Sequence, residues 1–349
     1  MTLSPSLDIV WAHAEGEVGL VIVDGAPEIP GRTVADKLAH LAPGDHPLFG
    51  LALFEPRGKA QMSANLVLPP SVAGADAGFV ILQPDGAHAM SGSNAMCVVT
   101  VLLETGMVPI TGPRTPVVLD TAAGLVRAVA SCAEGRCERV TLEFVPSFAA
   151  ALDRPLEVEG LGTLSVDIAF SGCWFVLVDA APLGFEIVPA EARELVSLGG
   201  RIRAAARKQI VVSHPVLDGF EGVEYALFHR RRGDTARTGN VMYPGRLDRS
   251  PCGTGSAALL AALNARGEMG IGESLETRSI VDSAFTARIA RAARVGPHAA
   301  IVPEISGRAW IFGRGTLGAD PSDPFAAGFT LADVWGDGVG RGAGAAVPE

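Results

Sequence analysis

The sequence has few of the features that mark nucleic-acid-binding, membrane-spanning or secreted proteins. Its formal net charge is −10, so it lacks the excess of lysine and arginine that binding to a phosphate backbone requires. No apolar run reaches the length of a membrane span without interruption. The first residues lack the charged and apolar regions of a signal peptide. We therefore expect a cytoplasmic protein with no nucleic-acid or membrane partner.

Cysteine is scarce, and its pattern excludes a disulfide framework. The five cysteines are odd in number and irregular in spacing. Cys132 and Cys137 resemble one half of a zinc clip, but the sequence offers no second half, so no metal site is predicted. Cys97 and Cys173 lie in apolar segments and are predicted to be core residues.

Apolar residues, in contrast, are plentiful enough for a large core. They make up 48% of the 349 residues, and the mean hydropathy is +0.31. The first half predicts a strand, a helix over 33–42, further strands, a Gly-rich loop and an apolar helix that ends at Gly106. The second half repeats this order, with a helix over 189–209 and an apolar helix that ends at Gly267.

This repeated order predicts an α/β (α+β) fold built from two similar domains. The predicted organisation is an N-terminal half, residues 1–168, a C-terminal half, residues 169–334, and a Gly-rich tail, residues 335–349, that we expect to be disordered.

Two loops carry the candidate chemistry, "MSGSNAMCVVT" from Met90 and "DRSPCGTGSAA" from Asp248. Each places small residues before an apolar helix, where free backbone N–H groups and the helix dipole favour an anion such as a carboxylate. The helix start is also expected to lower the pKa of the Cys252 thiol towards neutrality. Ser91 is a weaker acid that can donate or relay a proton.

If the two domains face each other across a cleft, the loops would lie on opposite faces of one ligand. Each loop would then present one acid–base group to the ligand's α-carbon, and the N–H groups would stabilise the resulting enediolate. Asp248 would hold a ligand ammonium or imino nitrogen. Two alternatives of other classes stay open, a non-catalytic binder of small amino acids and a hydrolase that uses Cys252 with a histidine.

The segment "DRSPCGTG" at 248–255 resembles a signature of the proline racemase superfamily, which includes 4-hydroxyproline epimerases and trans-3-hydroxy-L-proline dehydratases. Further similar segments run from about residue 8 to 335: "EPRGK" at 55–59, "TAAGLV" at 121–126, "VPSF" at 145–148, "VDIAF" at 166–170 and "DPFAAGF" at 323–329.

The resemblance implies the diaminopimelate-epimerase type of fold, with the active site in the cleft between two domains and with no metal, pyridoxal phosphate or nucleotide. It implies Ser91 and Cys252 as the acid–base pair. The substrate-binding residues that it implies are Gly92, Ser93, Asn94, Asp248, Gly253 and Thr254. The partner is then a small hydroxyproline. The oligomeric state stays open, with a homodimer as one alternative.

The first loop departs from the racemase pattern Met-Cys-Gly-His, because Ser91 and Ser93 replace its cysteine and histidine. A hydroxyl residue at the first position is typical of family members that dehydrate trans-3-hydroxy-L-proline. In that substrate the hydroxyl lies on the same face as the α-hydrogen. The sequence therefore favours a lyase that forms Δ1-pyrroline-2-carboxylate, with Cys252 as the main base.

The alternatives within the family are a 4-hydroxyproline 2-epimerase, which could be a second activity, and a proline racemase. The residues alone do not fix which of Ser91 and Cys252 removes the α-proton.

Overall fold

The computed structural model describes residues 6–243 and 245–335 and has a mixed α/β fold. Two compact units can be distinguished among the described residues: one combines those up to 140 with those from 308 to 335, and the other spans 141–307. The division differs from the predicted one at residue 168, because the last strand of the chain pairs with the first and so returns to the first unit. The predicted tail lies outside the described residues, apart from residue 335.

The first unit combines eight strands with short helices. Its strands are β1 (Ser6–Ala14), β2 (Glu17–Asp24), β3 (Ser63–Leu68), β4 (Ala77–Gln83), β5 (Gly86–His88), β6 (Arg114–Thr121), β7 (Gly124–Ala133) and β18 (Ala309–Gly318). Its helices are α1 (Val34–Leu41), α2 (Pro47–Ala52), α3 (Gly92–Glu104) and α6 (Ala332–Trp335). Strand β8 (Arg136–Glu143) begins in this unit and ends in the next.

The described residues of the second unit form nine strands and two α-helices. Its strands are β9 (Phe148–Val158), β10 (Gly162–Phe170), β11 (Trp174–Asp179), β12 (Tyr225–Arg232), β13 (Thr235–Met242), β14 (Arg246–Leu247), β15 (Ser274–Arg278), β16 (Ala284–Val295) and β17 (His298–Gly307). Its helices are α4 (Ala192–Gln209), preceded by the 3₁₀ turn Pro189–Glu191, and α5 (Gly253–Ala265).

The strand pairings of the two units follow the same plan. In the first unit β18, β1 and β2 pair antiparallel in turn, β2 pairs parallel with β3, β3 antiparallel with β4, and β4 parallel with β6. In the second unit β9, β10 and β11 pair antiparallel, β11 pairs parallel with β12, β12 antiparallel with β13, and β13 parallel with β15. The two units therefore share one order and one set of directions of strand pairing.

Helices α3 and α5 occupy the corresponding place in each unit and are buried on all faces. Every residue from Gly92 to Leu103 and from Gly253 to Leu263 is buried. A helix that is apolar all round is stable only inside a core, and α3 packs on β1 and β2 whereas α5 packs on β9 and β17. Each reactive loop is thus fixed to the start of a rigid helix.

The predicted helix ends are confirmed. Gly106 and Gly267 follow α3 and α5 with φ angles of 77° and 74°, the left-handed conformation that closes a helix. Thr33 caps α1: its side chain accepts the N–H of Asp36, whose carboxylate accepts the N–H of Thr33. Among the described residues, no helix combines the length and apolar character needed to cross a bilayer.

Candidate active site

Ser91 is the residue that precedes α3, and its hydroxyl faces away from the helix N–H groups. A serine at this position usually accepts an N–H bond from the first turn, but Ser91 makes no such bond. Its Oγ instead accepts a hydrogen bond from Asn94 Nδ2 at 3.0 Å, and lies 3.3 Å from Ser93 Oγ. The Ser91 side chain therefore does not occupy the first N–H groups of α3.

Cys252 precedes α5 in a conformation that few L-residues adopt. Its φ of 64° and ψ of 105° turn the backbone sharply before the helix. The side chain is 5% exposed, and its Sγ accepts the N–H of Gly255 at 3.3 Å and lies 3.6 Å from Thr254 Oγ1. The thiol therefore occupies the place of a helix-capping oxygen, where an N–H bond favours the thiolate.

The Cys252 loop is anchored by a buried carboxylate. Asp248 Oδ1 accepts both the N–H and the hydroxyl of Ser250 at 2.8 Å, and Ser250 Oγ accepts the N–H of Cys252 at 3.2 Å. Asp248 is itself 5% exposed, and burial raises the pKa of its carboxyl group although the Ser250 bonds act in the opposite direction. Asp248 and Cys252 therefore belong to one local network.

The surroundings of Cys252 contradict the expected lowering of its thiol pKa. Burial raises the pKa well above its usual value, and the negative charge of Asp248 raises it further. The Thr254 hydroxyl and the Gly255 N–H act in the opposite direction but are the smaller effects. Desolvation therefore outweighs the effect of the helix start on the pKa of this thiol.

The predicted site residues fall into one group in each unit. Ser91, Gly92, Ser93 and Asn94 form the first turn of α3. Cys252, Gly253 and Thr254 form the start of α5, and Asp248 lies in the loop before it. Cys97 and Cys173 are buried, as predicted for core residues. Within the described residues, no group of histidine, cysteine and acidic side chains is arranged to hold a metal ion.

The structure adds residues that the sequence reasoning missed. Asn65, on β3, donates from Nδ2 to Asn94 Oδ1 at 2.9 Å. Ser171 Oγ donates to the carbonyl of Thr254 at 2.7 Å and so supports the first turn of α5. Asn65 interrupts the apolar strand "SANLVLPP", and a polar residue inside a buried strand is a signal that could have been used.

The fold and the two loops define a mixed α/β protein with a Gly-rich polar loop at the start of each of two buried helices. The family model described as "Proline racemase" matches residues 9–330. The chain therefore belongs to the proline racemase family.

Relatives of known description are similar along almost the whole chain. A 4-hydroxyproline 2-epimerase of Agrobacterium fabrum is 43% identical over 339 residues, 96% of this chain and 98% of the relative. The 4-hydroxyproline 2-epimerase of Allorhizobium ampelinum is 45% identical over 333 residues, 95% of this chain and 96% of the relative.

Solved structures agree with this assignment. A hydroxyproline epimerase of Agrobacterium vitis, crystallised with trans-4-hydroxy-L-proline, is 44% identical with a TM-score of 0.90, over 97% of this chain and 99% of that one. A PhzF-family phenazine biosynthesis protein of Bacillus anthracis has a TM-score of 0.58 at 12% identity, over 90% of this chain and 99% of that one, which shows a likeness of fold alone.

Proposed function

We propose that the chain is a 4-hydroxyproline 2-epimerase, which inverts the α-carbon of trans-4-hydroxy-L-proline to give cis-4-hydroxy-D-proline. The observation that carries this proposal is the 43% and 45% identity to two epimerases of that description over 96% and 95% of the chain. The solved relative with bound trans-4-hydroxy-L-proline supports the substrate class. This changes the order of the sequence-based alternatives, because similarity along the whole chain outweighs the identity of one loop residue.

In this proposal Ser91 and Cys252 act on opposite faces of one α-carbon. One group removes the α-proton, the electron pair passes into the carboxylate as an enediolate, and the other group returns a proton to the opposite face. The N–H groups at Gly92 and Ser93, and at Gly253 and Thr254, would stabilise the negative charge that develops on the carboxylate.

The Asp248 carboxylate would couple substrate binding to ionisation of the thiol. Its negative charge raises the pKa of the Cys252 thiol in the ligand-free chain. A ring ammonium held by Asp248 would cancel this charge, and the N–H of Gly255 would then favour the thiolate. Substrate binding would therefore remove one of the two effects that raise this pKa, of which burial is the larger, and would favour Cys252 as the base.

The proposal is tested by incubating the purified protein with trans-4-hydroxy-L-proline and separating the products by chiral chromatography. We expect cis-4-hydroxy-D-proline, and in D₂O we expect solvent deuterium at the α-carbon of the product. Deuterium exchange without a new stereoisomer, or no reaction at all, would contradict the epimerase proposal.

A second candidate function is the dehydration of trans-3-hydroxy-L-proline, and the geometry of Ser91 favours it. Because Ser91 Oγ accepts the Asn94 bond, its own O–H can be donated, and it would protonate the leaving hydroxyl group if Ser91 lies on the ring face that carries the α-hydrogen and the 3-hydroxyl. Incubation with trans-3-hydroxy-L-proline followed by borohydride would convert any Δ1-pyrroline-2-carboxylate into proline. Absence of proline in this assay would remove dehydration from the functions of this chain.

A further inference from the structure

A chain of buried amides links strand β3 to the Ser91 hydroxyl. Asn65 donates from Nδ2 to Asn94 Oδ1 at 2.9 Å, and Asn94 donates from Nδ2 to Ser91 Oγ at 3.0 Å. Asn65 is fully buried and Asn94 is 2% exposed. These two side chains, here named the amide relay, cross the interior of the first unit and end at the candidate acid–base group.

The direction of the hydrogen bonds in the amide relay is fixed by the backbone. Asn65 Nδ2 also lies 3.3 Å from the carbonyl oxygen of Leu20, which can only accept. The end of Asn65 that faces Asn94 is therefore the NH₂ group, and Asn94 must present its carbonyl oxygen there. It follows that Asn94 turns its NH₂ group towards Ser91.

This direction determines what the Ser91 hydroxyl can do. Its oxygen accepts a bond from Asn94, so its proton is free to be donated. Ser93 Oγ, with which the Ser91 hydroxyl could share its proton, lies at 3.3 Å, a distance longer than that of a normal O–H···O bond. The amide relay thus holds Ser91 as a donor, and an N–H bond to its oxygen also stabilises the oxyanion that remains after proton transfer.

Gly19, on β2, provides the space for the amide relay. A Cβ atom at this position would lie 2.9 Å from Asn65 Nδ2, 3.0 Å from Asn94 Oδ1 and 3.1 Å from Cys97 Sγ. The backbone of Gly19 does not have the positive φ that would itself require glycine. Any larger residue would therefore push the two amides apart.

Stability alone does not explain an asparagine at position 65. Its Oδ1 has no hydrogen-bond partner among the described residues, although the atom is buried. A buried carbonyl oxygen without a donor is unfavourable, whereas leucine has nearly the same shape and no polar atoms. The favourable contribution of the Asn65 amide comes from its NH₂ group, which donates hydrogen bonds to Asn94 Oδ1 and to the carbonyl of Leu20.

We propose that Asn65 is a positioning residue for Ser91, which acts through Asn94 to keep the serine hydroxyl directed as a proton donor. This inference rests on the proposed function, because the acid–base role of Ser91 is part of that proposal. Both ends of the Asn94 amide take part in the relay, so its side chain links Asn65 to Ser91.

The kinetic test compares Asn65→Leu with Gln83→Met, which removes another buried amide of the same unit, bonded to Ser63 Oγ at 3.2 Å. For epimerisation we expect Asn65→Leu to lower kcat by about 10- to 100-fold with KM nearly unchanged, and Gln83→Met to stay within about twofold. Equal losses in the two variants would overturn the inference.

A double-mutant cycle with Ser91→Ala distinguishes positioning from a general loss of structure. The measured quantity is α-proton exchange in D₂O, which Cys252 can support on its own face without Ser91. In the Ser91→Ala background we expect Asn65→Leu to change this rate by less than about twofold. A loss as large as that in the parent protein would mean that Asn65 does not act through Ser91.

A second measurement does not depend on catalysis. In a Cys252→Ala background, the thiol introduced by Ser91→Cys is alkylated with iodoacetamide over a range of pH and quantified by peptide mass spectrometry. Adding Asn65→Leu should raise the midpoint of this profile by about half a pH unit to one unit, because the thiolate loses the Asn94 bond. An unchanged midpoint would overturn the inference, whereas absence of epimerisation in the parent protein would overturn only the proposed function.

If Asn65→Leu fails to fold, Asn65→Ser serves in its place, because it leaves room for water and keeps a polar group on β3. The shorter side chain cannot reach Asn94, so the same losses of kcat and the same alkylation shift are expected. A folded Asn65→Ser protein with parental values in both measurements would contradict the role of Asn65.

Discussion

Cys252 combines a strained backbone with a buried thiol. A non-glycine residue at a φ of 64° costs about 1–3 kcal/mol and persists only where the surroundings hold it. Here the hydroxyls of Thr238 and Ser256 both donate to the carbonyl of Pro251, at 2.8 Å and 3.3 Å, and fix the turn. The strain places Sγ against the N–H of Gly255, where a thiolate would be stabilised.

The first prediction concerns the charge next to this thiol. Asp248→Asn removes the negative charge that raises the pKa of Cys252, so the thiol should ionise at a lower pH. Iodoacetamide alkylation of Cys252 in the ligand-free protein should begin at a lower pH in the variant than in the parent. A profile that moves to higher pH, or does not move, would show that Asp248 does not control the ionisation of Cys252.

The second prediction concerns the thiol as an acid–base group. Cys252→Ala should lower the rate of hydroxyproline epimerisation by about a thousandfold, which is within the usual contribution of a general acid–base residue. Cys132→Ala, at a buried cysteine on β7 in the other unit, should leave the rate within about twofold. A similar loss of epimerisation rate in both variants would mean that Cys252 contributes only through packing.

At the level of single elements, the sequence predicts best the helices that are buried on every face. Helices α3 and α5 could be predicted because both are apolar on every face and end at glycines with a positive φ. The amide relay could not be predicted, because Asn65 and Asn94 are 29 positions apart and meet only where α3 packs on the paired strands β2 and β3. The direction of the Cys252 pKa shift differs from the expected one, because the local sequence does not show how deeply the thiol is buried.

The third prediction concerns two adjacent glycines of α4 that differ only in the face they occupy. A Cβ at Gly199 would lie 2.6 Å from Val241 Cγ2, whereas a Cβ at Gly200 meets nothing within 4 Å. Gly199→Ala should therefore destabilise the protein by about 1–3 kcal/mol through overpacking. Gly200→Ala should stabilise it by about 0.5–1 kcal/mol through helix propensity. Chemical denaturation measures both, and a stabilising Gly199→Ala would contradict the packing of α4 on β13.

Across the whole molecule, the order of elements was predictable but the path of the chain was not. The repeated pattern of strands and helices indicates two similar halves, and the pairings follow that plan. Nothing in the local pattern of β18 indicates that it pairs with β1, about 300 residues earlier, because register is set by tertiary contacts. The division of the chain therefore differs from the one expected at residue 168.

The segment after β18, residues 319–331, is hydrogen-bonded to the rest of the first unit by Arg57. Arg57 donates from Nη2 to the carbonyls of Phe325 and Ala326, at 3.3 Å and 2.7 Å, and from Nε to the carbonyl of Leu51 at 3.2 Å. Two short backbone bonds between Glu55 and Phe329, at 3.1 Å and 2.8 Å, run beside it. The segments "EPRGK" and "DPFAAGF", which lie far apart in the sequence, thus meet in the fold.

The fourth prediction follows from this contact. Arg57→Met keeps most of the side-chain volume but leaves the carbonyls of Phe325 and Ala326 without their charged donor, so stability should fall by about 2–4 kcal/mol. Arg288→Met removes a half-exposed ion pair with Glu304 on β16 and β17 and should change stability by less than about 1 kcal/mol. Thermal unfolding compares the two, and limited proteolysis of Arg57→Met should cut first within 319–331. If Arg57→Met and Arg288→Met have equal melting temperatures, or if the protease first cuts Arg57→Met outside 319–331, the pairing of β18 with β1 alone holds this segment in place.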